Sequence, residues 1–325
     1  MRGSGIATSR GRSLAIAGLL ALTGGTGAAA QEWKERPYDP ALGSRWIVLS
    51  QSDETANRPD GVQTIEIKSR GELTIEAKTA TGFRISFVNR DISVDGNAPA
   101  VPIVRPAVAA LKDTVIRATI TAAGKPISVD NLDEVRATMH TFVDRTFKAF
   151  DSQPKLVAAL RPVFDKMLNA DGAEAAKADL AELDQLSAGQ DSGLKVGEER
   201  HESTESANPL GGAPIKVATT FRIEQADPQS GNVTFVRDSQ TDSEGMKEFA
   251  LAMMQKLGAA TDKPMSTDVA EMIKTMKMTV EGRTTIHVEG GMTRTLREES
   301  TTTLSLTGHV LTRKTVKTIA VTPAP

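Results

Sequence analysis

The sequence predicts an α+β fold: two related curved antiparallel sheets, each a half-barrel with helices packed on one face, joined by a helical insert. Three observations predict it. Apolar and polar residues alternate over many short runs bounded by Gly, Asn and Asp, the period-two signature of half-buried strands. A stretch with apolar residues three and four apart interrupts those runs mid-chain. Short segments of the two halves also match in residue type and spacing.

The chain opens with Arg2, Arg10 and Arg12, then the apolar run Leu14–Leu22, then Ala28-Ala29-Ala30 before Gln31. That order predicts a secretory signal peptide over 1–30, cleaved between Ala30 and Gln31. The run is far shorter than the roughly 20 residues that span a bilayer. With no cysteine, neither a disulfide nor N-terminal lipidation is available. The expectation is a soluble periplasmic or secreted protein without a transmembrane segment. Cleavage removes three positive charges and no acid, taking the formal net charge from −2 to −5. A mildly acidic chain without a basic tract argues against a nucleic-acid partner. Few aromatics and many threonines suit strands with modest side chains, not a large aromatic cleft.

The first half-domain is expected over 31–129. A polar, Pro-rich leader (Gln31–Gly43) enters a strand at Arg45–Ser50. Alternating runs follow at Gln63–Lys68, at Leu73, Ile75 and Ala77, and at Phe83, Ile85 and Phe87, with Ile92 and Val94 beyond. A short helix is expected over Pro106–Lys112. A hairpin around Ala123-Gly124 then joins Val115–Thr121 to Ile127–Val129. The insert, 130–190, opens with Asp130 as a cap. Leu132, Val135, Met139, Phe142, Val143, Phe147 and Phe150 then form one helical stripe, which Pro154 ends. Lys155–Leu168 and Ala173–Leu186 read as two more helices.

The second half-domain, 191–325, returns to strands at Ile215–Thr219, Phe221–Gln225 and Asn232–Arg237. Helices are expected over Ser243–Leu257 and Thr267–Lys277, then a hairpin, then a last strand over Val310–Val321. In that hairpin Met278, Val280, Ile286 and Val288 face Met292, Leu296, Leu304 and Leu306, all even-numbered. Matching faces then require a three-residue loop, Glu289-Gly290-Gly291, which sets Gly282 opposite Glu298 and Val280 opposite Ser300. Between its apolar ends this strand face carries Arg294, Glu298, Ser300 and Thr302. That weak centre is either strand running past the core into water or the polar mouth of a cavity.

The repeat sets Gly71–Asp91 beside Thr219–Asp238. Ile75-Glu76 matches Ile223-Glu224 and Phe87-Val88 matches Phe235-Val236, at one spacing in both halves. This order of elements, repeated around a central helical insert, resembles a family of secreted bacterial proteins of unknown function. Each half more loosely resembles the open sheet of LolA-like and LppX-like lipoprotein and lipid carriers, whose helices close the concave face of an unfinished barrel. The resemblance would cover Trp33 to Val321, implies a hydrophobic cavity with a carrier role, and supplies no catalytic residue.

The residues themselves offer little chemistry. His140, His201, His287 and His309 lie outside metal-ligand spacing of one another. No nucleophile elbow occurs, the adjacent acids Glu198-Glu199 and Glu298-Glu299 point to opposite strand faces, and no Gly-rich loop precedes a helix. No enzyme activity, cofactor or metal is expected. Met246, Met253, Met254, Met265, Met272, Met276, Met278 and Met292 crowd one stretch. They are open to three readings: core filler, an adaptable apolar lining, or a Cu(I) site. The function expected is that of an exported, non-enzymatic protein carrying a hydrophobic, lipid-like ligand between sheet and helices. Met246, Phe249, Met253, Ile286 and Leu296 would line that space. The alternative is an envelope module with a packed core that binds another protein.

Overall fold

Two long meanders meet along their free edges. The structure, a computed structural model, describes residues 38–151, 154–169, 193–206, 214–260, 276–306 and 309–325. The first meander comprises β1 (Arg45–Arg58), β2 (Gly61–Lys78), β3 (Gly82–Gly96), β4 (Val115–Thr121) and β5 (Pro126–Val129). The second comprises β6 (Glu199–Ser206), β7 (Ile215–Ala226), β8 (Val233–Thr241), β9 (Lys277–Glu289), β10 (Met292–Leu306) and β11 (His309–Pro323). Four helices are described: α1 (Val101–Val108), α2 (Leu132–Lys148), α3 (Pro154–Leu168) and α4 (Ser243–Ala260). The expected signal peptide, the expected helix over 173–186 and most of that over 267–277 lie outside the described residues. No described helix is long and apolar enough to cross a membrane.

The expected α+β fold of two sheets is corrected to one sheet. Its eleven strands run β5-β4-β3-β2-β1-β11-β10-β9-β8-β7-β6, every neighbour antiparallel. Among the described residues strand far outweighs helix, so the molecule is mostly β. The physical reason is the seam. β1 and β11 would each be an exposed edge if the meanders stayed apart. They pair over most of their length instead, from Trp46 opposite Pro323 to Asn57 opposite Thr312. The remaining edges are protected in other ways. β5 has four residues and starts on Pro126. β6 (ERHESTES) is charged and polar throughout.

The strands are longer than their local patterns suggest. β2 has 18 residues and joins two runs that read as separate strands. α1 starts five residues before the expected helix, with Pro102 in its first turn, and a 3₁₀ turn follows over Ala109–Leu111. α2 takes Asn131, not Asp130, as its N-cap residue. α3 starts at Pro154.

The β9–β10 hairpin corrects the expected register. Its loop is the two-residue pair Gly290-Gly291, at φ 60° and 79°, with Glu289 opposite Met292. Two residues at positive φ make the turn whose twist suits a hairpin, and glycine adopts it without steric cost. Val288 therefore does oppose Thr293. The faces are rescued one residue later, where Arg294 is an extra, bulged residue. Beyond it Leu296 opposes Ile286, Ser300 opposes Gly282 and Thr302 opposes Val280. The even-numbered faces match as expected, shifted by two residues.

The two segments matched in sequence share an irregularity. The β2–β3 ladder bulges between Ile75 and Ala77, and the β7–β8 ladder between Ile223 and Gln225. The bulged residues are Glu76 and Glu224, the matched pair. Their partners differ from the matched ones: Ile75 opposes Ile85, whereas Ile223 opposes Phe235. Phe235 therefore occupies the place of Ile85, not of Phe87.

The core lies on one face of the sheet, toward the Trp46 end of β1. Trp46, Val48, Leu73, Ile75, Phe83, Ile85, Ile120, Ile223, Phe235, Ile286, Leu296, Ile319 and Val321 form one buried cluster, to which α2 adds Val135. A second cluster packs α1, through Val101 and Val108, on Val94 of β3. The opposite, outer face is laced by ion pairs. Glu72 there lies 3.3 Å from both Arg45 and Arg90. Burial pushes its carboxyl pKa up, but Arg90 and then Arg45 outweigh that and hold it below the usual value. A depressed folded-state pKa stabilises above the unfolded value and is lost as pH falls through the folded one. Glu72→Gln is therefore expected to lower the Tm slightly at neutral pH. The gap from the parent should close as pH drops below the carboxylate range, in melts followed by circular dichroism.

Candidate functional site

The ladder pairings sort the inner face, the one that carries the core, into rows running across the strands. One row is an apolar floor: Ile223, Phe235, Ile286, Leu296 and Ile319 on β7 to β11. All five are at most 5% exposed. The next row lies two residues along each strand, about 6–7 Å away. From β6 to β3 it reads Arg200, Phe221, Arg237, Thr284, Glu298, Lys317, Ser52, Ile67 and Val94. The row after it is small, with hydroxyls at Thr219, Ser239, Ser300 and Thr315 and Gly282 among them, then Glu54 and Ile65. The polar centre of the β9–β10 hairpin belongs to these upper rows. Its apolar flanks are the floor below and Met278 opposite Leu304 above.

Charge on this face is managed by neighbours. The Arg200 Nε lies 2.8 Å from Glu202, and its guanidinium stands 5.2 Å over the Phe221 ring. Lys317 is directly opposite Glu298. Arg313 pairs with Glu54. Arg237 donates from Nη2 to the Thr284 hydroxyl at 3.1 Å, and Thr284 is 3% exposed.

The helices form an arch over this face. α1 lies against β3, α2 against α1 and β4, α3 against α2, and α4 against α3 and against β7 and β9. The footings are thus β3–β4 on one side and β7–β9 on the other. β2, β1, β11 and β10 lie between them, with no more than marginal contact from any described helix. Ile67 of β2 belongs to this central stretch. It faces inward beside Val94, which is 3% exposed under α1, yet Ile67 itself is 38% exposed.

Of the residues expected to line a cavity, Ile286 and Leu296 oppose each other in the floor and are each 1% exposed. Met246 is half-buried in the first turn of α4. The side chains of Phe249 and Met253 lie outside the described residues. Met276 is buried and Met292 packs against the main cluster, as core filler does. Arg237, Phe221 and Ile67 were not singled out from the sequence. The signal was parity: Arg237 shares the strand face of Phe235.

Two depressions lie on the outer face among the described residues. One, of about 550 Å³, includes His201, Thr220, Asp238, Arg283 and Glu299 in its lining. Its charges bind one another: Arg222 reaches Asp238 at 2.5 Å, Arg283 reaches Glu224 at 3.1 Å and Lys314 reaches Glu299 at 3.2 Å. The other, of about 520 Å³, crosses β2, β1, β11 and β10 around Leu49, Thr318 and Ala320. Among the described residues no three His, Asp or Glu side chains converge as a metal site.

No family model matches the chain, and no curated protein does. Solved structures give partial likenesses. A lipovitellin structure described by its lipid–protein interactions aligns with 89% of this chain at 11% identity and a TM-score of 0.39. This chain spans only 26% of that one. DynF, from the dynemicin biosynthesis pathway of Micromonospora chersina, aligns with 95% of this chain and 92% of its own, at 8% identity and a TM-score of 0.20. An outer membrane channel from Pseudomonas putida F1 covers 88% and 97%, at 8% identity and a TM-score of 0.18. TM-scores of this size fall below those of a shared fold and say nothing of what this chain binds.

Proposed function

We propose that the chain is an exported, non-enzymatic protein that binds a hydrophobic ligand between the inner face of the sheet and the helical arch. The observation that carries this reading is Ile67. A large apolar side chain on the core side of a sheet is normally covered, and leaving it accessible costs hydrophobic stabilisation that a ligand would restore. Among the described residues no helix is footed on the central strands around it, which supports an occupant there. The alternative, a protein-docking module, would fall on the outer depression around Leu49, itself 47% exposed.

Native mass spectrometry and solvent extraction of the protein purified from an exporting host test the reading. A co-purifying lipid-like molecule, on a chain beginning at Gln31, is the expected result. Ile67→Asp should reduce its occupancy roughly tenfold or more, because a carboxylate would face the ligand's apolar surface. The Tm should move little, since the site is already partly solvated. A ligand-free protein whose retained partner is another polypeptide would favour the alternative.

A further inference from the structure

We infer that the ligand is an anionic amphiphile whose carboxylate or phosphate headgroup is bound by Arg237. This rests on the binding role proposed above and adds the chemistry of the ligand. Arg237 is half-buried on the inner face, one row above Phe235 and Ile286. Its neighbours in charge have carboxylates: Arg200 has Glu202, Lys317 faces Glu298 and Arg313 has Glu54. On the outer face of the same strands, Arg222 has Asp238 and Arg283 has Glu224. Among the described residues the partner of Arg237 is the neutral hydroxyl of Thr284. A guanidinium partly withdrawn from water is costly without a counter-charge. It carries five donors in a planar fork that suits two oxygens of an oxyanion, and the bond to Thr284 aims that fork from a buried anchor. Half-buried apolar side chains on the same face, Phe221 beside it and Val280 farther along β9, can take the attached chain.

Delipidated full-length mature protein would be titrated with oleate, oleoyl-lysophosphatidate, monoolein and inorganic phosphate by calorimetry. The two anionic amphiphiles should bind at least tenfold tighter than monoolein, and inorganic phosphate should not displace them. Arg237→Gln should abolish that preference and leave monoolein affinity unchanged. Arg237→Lys, which keeps the charge and loses the fork, should retain part of it, and it decides the matter if the Gln variant does not fold. Equal affinity for oleate and monoolein, or a preference that survives Arg237→Gln, overturns the inference while the binding role stands. Displacement by inorganic phosphate overturns it in favour of a free-anion site. No binding of any amphiphile overturns the binding role and this inference together.

Discussion

Leu296→Ala is expected to lower the free energy of unfolding by about 3 kcal/mol, whereas Ile67→Ala should cost under about 1 kcal/mol. The two residues are similar in size, lie on the same face of the same sheet, and are one row apart. Leu296 is 1% exposed and sits between Ile286 and Ile319, each also 1% exposed. Truncating it leaves a cavity in a floor clamped by two ladders, which cannot collapse freely. Ile67 is 38% exposed, so its truncation removes contacts that are only partly made. Urea denaturation of the ligand-free protein reads both values. Equal costs would mean that the space under the arch is packed like the floor, and the carrier reading would fail. A difference of 2 kcal/mol or more is a large share of the ~5–15 kcal/mol that holds a domain folded, so the contrast is well within reach.

What the sequence made legible was local. The stripe from Leu132 to Phe147 became α2, and the run Lys155–Leu168 became α3, which Pro154 opens rather than ending the helix before it. The parity of Ile286 and Leu296 placed both on the core face. Non-local pairing was invisible. The β1–β11 seam joins residues as far apart as Trp46 and Pro323, and no turn signal connects them. Without that seam the two meanders read as two sheets. Bulges were the second blind spot. The Gly290-Gly291 turn looked excluded because it misaligns Val288, and only the extra residue Arg294 reconciles turn and faces. The unequal loops after Glu76 and Glu224 hid in the same way, behind a sequence match two residues out of structural register. Arg237 was legible in principle, since it alternates in phase with Phe235. Its meaning depends on which carboxylates stand opposite the neighbouring cations, and that is set by register across six strands.

Gly96→Ala is expected to destabilise the protein by about 3 kcal/mol or more and to weaken ligand binding, although Gly96 touches neither the floor nor Arg237. Gly96 ends β3 at φ 130°, a conformation that residues with a Cβ rarely adopt, and an added Cβ would stand 2.2 Å from the Thr64 carbonyl oxygen. That oxygen is fixed, because it accepts from the backbone N–H groups of Asn97 and Ala98. The Asn97 side chain closes the clamp, accepting from the Thr64 N–H at 2.6 Å and donating to the Val62 carbonyl at 3.0 Å. The clamp sets where the chain leaves β3 for α1, and so whether Val101 and Val108 land on Val94. With the strand end displaced, one footing of the arch is lost. Gly96→Ala should therefore bind a hydrophobic dye at the exposed Val94 cluster and lose ligand affinity even where circular dichroism reports a folded sheet. Asn97→Ala removes the side-chain bonds without the collision and should cost about 1–2 kcal/mol, with a smaller loss of affinity. If Gly96→Ala keeps full affinity while folded, α1 is no part of the ligand's cover, and the ligand lies elsewhere on the sheet.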